Sequence, residues 1–191
     1  MKHRRIIVGS LAITIGVCLL LSIPYFFLQS QFNTTKLLQE YNQQASLQSK
    51  NDKQGEGTAK GTNQVEATGK LLIPSIALET PIVEGTEQDL LIKGAGHLST
   101  SVMPGINGTS VIAAHNVTFF HNLGQVKLND RIQVQEKSGT HTFVVYATKI
   151  VKTGDPIYNT ETPSLVLETC YPFNAMNLTP YRYLVFGSLS S

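Results

Sequence analysis

"RIQVQEKSGTHTFVVYATKIVKT", residues 131–153, decides the fold class. In its first part Ile132 and Val134 alternate with Arg131, Gln133 and Gln135, the period-two pattern of a strand with one buried face. Its second part is dense in β-branched and aromatic types, from Thr140 through Val151. Between them "EKSGTH" places Ser138-Gly139 at the centre of a turn, so the whole stretch reads as a β-hairpin. The same texture continues outward. "KLLIPSIAL", "TPIVEG", "LLIKGAGHL", "TSVIAAHN", "SLVLETC" and "RYLVFG" are short apolar runs separated by Gly, Pro and Asn. Regularly spaced short strands of this kind make a barrel or a sandwich. Only "QDLLIKG" (88–94) and "VTFFHNL" (117–123) read as locally helical. The fold class is therefore mainly β, and the residues after Val65, about 125 of them, suffice for one small barrel core.

Upstream of this domain the pattern changes twice. Residues 6–28 form a 23-residue span without a charge, long enough to cross a bilayer core that needs about 20 residues at helical rise. Lys2, Arg4 and Arg5 precede it, so the positive-inside bias puts residues 1–5 in the cytoplasm. Tyr25, Phe26 and Phe27 stand where an outer aromatic belt belongs. "YFFLQSQ" lacks the small residues of a signal-peptide cleavage site, which favours an uncleaved anchor. Cys18 inside the span reads as a small apolar residue. Residues 29–68 are polar and read as an extracytoplasmic linker, with some helical periodicity through Leu37, Leu38, Tyr41 and Leu47. The expected organisation is a cytoplasmic terminus (1–5), a transmembrane anchor (6–28), a linker (29–68) and a β domain (69–191).

Charge narrows the partners. Residues 65–191 hold eight Lys/Arg against ten Asp/Glu, a net of −2. A mildly acidic domain without a basic stripe is a poor match for nucleic acid, whose binders draw their affinity from Lys and Arg on phosphates. Glu79, Glu84, Glu87, Asp89 and Asp155 show no loop of alternating carboxylates, so they read as solvated surface charge rather than a calcium site, and no cofactor is expected.

The chain has two cysteines, Cys18 and Cys170. With Cys18 in the bilayer, Cys170 has no intramolecular partner, and a leftover thiol outside the membrane is either buried or reactive. Three features favour reactivity. Cys170 ends an apolar strand just before Pro172; His97 and His115 each end an apolar segment upstream; Arg182 opens the next strand. A thiolate is the nucleophile, a nearby cation lowers its pKa, an imidazole can protonate a leaving amine, and a guanidinium can hold an oxyanion.

These residues also resemble a known family. "VLETCYPF" followed by "PYRYLVF" is similar to the sortase active-site strand, Thr-Leu-x-Thr-Cys, with an Arg about a dozen residues later. "VMPGINGTSVIAAHNVTFFHNL" resembles the segment around the sortase histidine, and "LNDRIQV" the Gly-Asp-x-Ile-x-Val strand after it. The "CYPF" continuation is most like class D. The pattern departs at Val166, Ala114, Asn116 and Asn129, where the family has Thr, Gly, Arg and Gly.

The resemblance implies a closed eight-stranded β-barrel with short helices, and a membrane-anchored cysteine transpeptidase of a Gram-positive-type bacterium. It makes Cys170 the nucleophile, His115 the general acid/base and Arg182 the transition-state stabiliser, with Thr169 at the substrate and His97 in a structural or rim role. The implied substrates are secreted proteins with a carboxyl-terminal sorting signal of the Leu-Pro-x-Thr kind, passed through a thioester to an amine of the cell wall. Two other classes fit the residues: another extracytoplasmic cysteine hydrolase or transpeptidase, and a non-catalytic anchored β-barrel binding domain. Papain-like enzymes, however, put the Cys first and on a helix, whereas here His115 precedes a strand-borne Cys170.

Overall fold

The computed structural model describes residues 66–157, 159–173 and 179–190, together with Lys36, Leu38, Gln39 and Gln43, whose backbone is helical. The expected anchor over 6–28 with Cys18, the terminus before it and most of the linker lie outside the described residues. Among the described residues no helix is long and apolar enough to cross a membrane.

Eight strands close into one barrel: β1 (Ala67–Ile73), β2 (Leu78–Glu84), β3 (Ala95–His97), β4 (Thr109–Ala113), β5 (Arg131–Glu136), β6 (Gly139–Lys152), β7 (Ser164–Tyr171) and β8 (Tyr181–Leu189). Their order around the barrel is β1-β2-β3-β4-β7-β8-β6-β5, and β5 pairs back onto β1. The β2–β3 and β4–β7 pairs are parallel; the rest are antiparallel.

The hairpin of residues 131–153 forms as expected, with Glu136 opposite Gly139. Its two-residue turn is Lys137-Ser138, one position earlier than the Ser-Gly centre, because Gly139 takes the positive φ of 145°. "KLLIPSIAL" is not one strand. Pro74, which cannot donate to a ladder, opens a 3-10 turn (Pro74–Ile76), and Ala77 at φ 50° redirects the chain into β2. "QDLLIKG" supplies a one-turn helix, Gln88–Leu91. "VTFFHNL" forms turns over 116–122 and a 3-10 turn at Leu123–Gln125 instead of a regular helix. There the N–H groups of both Thr118 and Phe120 donate to His115 O, and Phe120 and Leu123 are fully buried. Burial of these two side chains decides that conformation over helix propensity, which β-branched and aromatic residues lower.

The inner face follows the period of two. Leu71 and Ile73 on β1, Ile132 and Val134 on β5, Phe143 and Val145 on β6, Leu165 and Leu167 on β7 and Val185 on β8 fill the barrel with Phe120. Intervening residues point outward. On β4, β7 and β8 these are also buried: Val111, Val166 and Leu184 form a second cluster under Leu98, Val151, Ile157 and Phe186. The outer face of these three strands is thus covered around Val111, Val166 and Leu184.

β3 is only three residues long and lies close to the chain leaving β2. A Cβ on Gly96 would stand 2.1 Å from Gly85 O, and one on Gly94 would stand 2.6 Å from Pro81 O. The clash in each case is with backbone, which cannot rotate away. Gly96→Ala should therefore destabilise the domain by about 2–4 kcal/mol, at the high end for a point change, as a fall in the midpoint of urea unfolding. An unchanged midpoint would show that β3 is not held this closely.

Candidate active site

Strand parity determines which side chains meet. On β7 the inward residues are Leu165 and Leu167, so Val166, Glu168 and Cys170 face out. On β8 Val185 faces in and Leu184 out, which puts Arg182 outside. On β4 Ile112 faces in and Val111 out, so the outward series continues through Ala113 to His115. Register then sets their positions along the strands. Cys170 lies directly opposite Arg182. In the parallel β4–β7 pair Ala113 stands opposite Glu168; two residues further along each chain, past the end of β4, come His115 and Cys170, which line the same groove. All three, with Glu168, line one groove of about 300 Å³.

Hydrogen bonds maintain the pairing where β4 ends. Ala114 N donates to Glu168 O at 3.1 Å, and Thr169 Oγ1 donates to Ala114 O at 2.7 Å. Thr169 borders the groove, yet it is 2% exposed and its hydroxyl is committed to that carbonyl. The contact ties β7 to the end of β4. Asn116 supplies a second strap: its side-chain amide donates to Pro172 O at 3.1 Å and Phe173 O at 3.3 Å. The chain after the histidine is thereby tied to the chain after the cysteine. In the sequence Asn116 reads as a departure from the family pattern. The signal was an amide set among apolar residues, beside "FF" and opposite "YPF".

The site's electrostatics follow from partial burial. Cys170 is a free, partly exposed thiol. Burial lowers the pKa of His115 below the ordinary imidazole value, because the charged ring loses water. Glu168 moves the other way for the same reason. Desolvation raises its pKa and outweighs the opposing pull of Arg182, whose Nε lies 3.4 Å from Glu168 Oε1. Arg182 Nη1 also donates to Thr179 O at 2.9 Å and Tyr181 O at 3.0 Å.

The other histidines lie elsewhere. His97 is 3% exposed, with Nδ1 2.9 Å from Glu84 Oε2 and Nε2 3.1 Å from Ser101 Oγ. This superficially resembles a Ser-His-Glu triad. Hydrogen-bond direction says otherwise: Nε2 is also 3.0 Å from Val102 O, which can only accept, so Nε2 carries a proton and Ser101 donates to Leu98 O instead. His97 clasps the β3–β4 connection through these contacts. His121 is in a loop, with Nδ1 2.6 Å from Thr118 O. His141 lies at the far end of the barrel, 3.9 Å from Glu136, whose carboxyl burial pushes up. A cavity of about 520 Å³ beside that pair has no thiol in its lining. The acidic residues are dispersed, Glu79 pairing with Lys70 and Asp155 accepting from Lys152 N. Among the described residues no three His, Cys, Asp or Glu side chains gather as a metal site.

Comparison with known proteins agrees with this geometry. The family model described as Sortase domain matches residues 71–190. The chain is 35% identical over 158 residues to sortase D of Bacillus subtilis (strain 168), covering 75% of this chain and 80% of that protein. Sortase C1 from Streptococcus agalactiae superposes with a TM-score of 0.60 at 26% identity, over 65% of this chain and 68% of that one. A Clostridium perfringens sortase D5 transpeptidase has a TM-score of 0.62 over 85% of this chain and 98% of that one; at 18% identity it speaks for the fold alone. The papain-like and non-catalytic alternatives fall with these matches: the chain belongs to the sortase family of cysteine transpeptidases.

Proposed function

We propose that this sortase cuts a Leu-Pro-x-Thr-type sorting signal and passes the protein to an amine of the cell wall, with Cys170, His115 and Arg182 as the catalytic residues. The observation that carries this is the register that sets all three on one outer face, Cys170 opposite Arg182 and His115 two residues beyond the Ala113–Glu168 pair. Cys170 Sγ attacks the scissile carbonyl, forming a C–S bond. His115, uncharged near neutral pH because burial lowers its pKa, takes the thiol proton as attack begins and returns it to the departing amine as the C–N bond breaks. Arg182 steadies the oxyanion between these events. An incoming amine then attacks the thioester, its proton passes to His115, and the sulfur leaves. The substrates are secreted proteins bearing the signal. Family membership and the uncharged span at 6–28 support a single-pass anchor with residues 1–5 in the cytoplasm and the domain outside.

Intact-mass spectrometry with a pool of Leu-Pro-x-Thr-Gly peptides tests the roles. Cys170→Ala should form no acyl-enzyme. His115→Ala should be slowed about 10²–10⁴-fold, and Arg182→Lys should be severely impaired because a point charge does not reproduce the planar fork. His97→Ala should still transfer. A dead His97→Ala beside an active His115→Ala would move the acid/base role to His97.

Protonation of His115 also leaves a mark on stability. Its folded pKa lies below its unfolded one, so its contribution is complete above the ordinary imidazole value of about 6.5 and is lost as pH falls through the folded pKa. Glu168, with a raised pKa, works in the opposite sense at lower pH, so a difference between variants is the cleaner reading. Melting temperatures of wild type and His115→Gln, followed from pH 7.5 to 5, should show the wild type losing more. Parallel curves would mean that burial does not hold His115 neutral.

For topology, protease added to wall-stripped cells should digest the domain and leave the anchor in the membrane fraction. A protected domain would reverse the orientation.

A further inference from the structure

The two groove residues proposed to exchange a proton are held unequally by the sheet. β7 continues through Cys170 to Tyr171, paired with β8. β4 ends at Ala113, two residues short of His115. Past the last β4–β7 pair, Ala114 N still donates to Glu168 O at 3.1 Å. Two side chains then bracket His115. Just before it, Thr169 Oγ1 donates to Ala114 O at 2.7 Å. Just after it, Asn116 Nδ2 donates to Pro172 O at 3.1 Å and to Phe173 O at 3.3 Å. On the other chain the same bonds fall on either side of Cys170.

The second bracket suits an amide. A primary amide has two N–H donors for two carbonyls, where a hydroxyl has one and a carboxylate none. Asn116 is 1% exposed, so water does not compete for either bond. The remaining bonds of this turn, from Thr118 N and Phe120 N to His115 O, fold it on itself and do not reach β7. Without the amide the segment can turn about the Ala114–Thr169 contact and keep those bonds. With it, the offset between the two chains is set on both sides of His115 and Cys170. The family resemblance has Arg at this position, so the amide is this chain's own feature.

We propose that Asn116 is a positioning residue for the His115–Cys170 pair: by bonding the carbonyls of Pro172 and Phe173 it fixes the offset at which the imidazole meets the thiol. This rests on the transpeptidase reading of the groove. Losing two bonds to a buried amide also costs stability, so stability alone does not separate a role in the site from a role in the fold. The separating observables are those that depend on how His115 and Cys170 face each other.

The test uses the full-length chain as wild type, Asn116→Ala and Asn116→Ser, the last keeping one donor. Ile132→Val, in the core on β5 and outside the groove lining, is the control for lost stability. The first readout needs no peptide. Alkylation of Cys170 by iodoacetamide is followed by mass spectrometry from pH 5 to 9, and each profile is compared with that of His115→Ala. Wild type should differ from His115→Ala, because an imidazole set against the thiol leaves its own titration in the rate. Asn116→Ala should move to the His115→Ala profile, and Ile132→Val should keep the wild-type one. The second readout is acylation by the best substrate of the Leu-Pro-x-Thr-Gly pool. In Asn116→Ala kcat should fall about 10–100-fold, the scale of a misplaced catalytic group, while KM stays within about threefold. Asn116→Ser should lie between, and it replaces Ala in every comparison if Ala does not fold. Wild-type alkylation or wild-type kcat in Asn116→Ala, a loss confined to KM, or a loss that Ile132→Val matches would each overturn the proposal. So would identical profiles for wild type and His115→Ala, or failure of both Asn116 variants to fold. If wild type itself forms no acyl-enzyme, the transpeptidase reading of the groove fails, and the alkylation profiles still decide whether Asn116 sets His115 against the thiol.

Discussion

The parallel pairing of β4 with β7 is the constraint on which the site depends. The two strands are separated by about fifty residues of chain, and the barrel joins them edge to edge with Ala113 opposite Glu168. Side chains alternate faces along a strand, so a slip of one residue would turn Cys170 into the core and Thr169 into the groove. Nothing about a thiol prevents its burial, because Cys is among the side chains most at home there. What holds the register is the apolar demand of Leu165 and Leu167 for the interior, reinforced by the Thr169–Ala114 hydrogen bond where β4 stops. A hydroxyl inside the barrel and a thiol outside it are two consequences of one pairing.

The same partial burial produces opposite effects on two neighbouring groups. Water is withdrawn from the groove by Val111, Leu98 and the flanking chain, and each ionisable group shifts toward its neutral form. For His115 that is the neutral, proton-accepting form. For Glu168 it is the protonated form, which Arg182 opposes. The groove therefore sets a partly buried imidazole and a guanidinium on either side of a thiol, with the Glu168 carboxyl 3.4 Å from Arg182 Nε.

Much of this was legible in the sequence, and the reasons are specific. Period-two patterning in 131–136 and the long β-branched run of β6 are local signals, read without knowledge of partners. The pairing of "VLETC" with "YRYLVF" followed from their adjacency in the chain, and the family pattern supplied "AAHN". Less legible were features whose cause lies across the barrel. "VTFFHNL" carries helical spacing, but Phe120 and Leu123 serve the core rather than a helix face. Thr169 sits beside Cys170 in sequence and on the opposite face in space. The Glu168–Arg182 contact skips a register position, so neither strand announces it.

The two chain segments that leave the site are each anchored in the core, which explains how a groove on the outer surface can be kept in shape. After His115 the chain turns so that its carbonyl accepts from both Thr118 and Phe120, and Phe120 is fully buried in the core cluster. After Cys170 the chain runs through Tyr171, stacked on Tyr183 with ring centroids 6.4 Å apart, and Phe173, edge-on to the same ring at 5.1 Å, and Phe173 packs onto the same core. Its ring also presses on Gly124, where a Cβ would stand 2.5 Å from the ring edge. Gly124 belongs to the 3-10 turn that follows Phe120, so the two anchors touch. Asn116 closes the loop by bonding the carbonyls of Pro172 and Phe173. The histidine and the cysteine are thus joined twice, once through the β4–β7 ladder and once through this buried contact, and a displacement of either side chain's backbone has to work against the packing of the barrel itself.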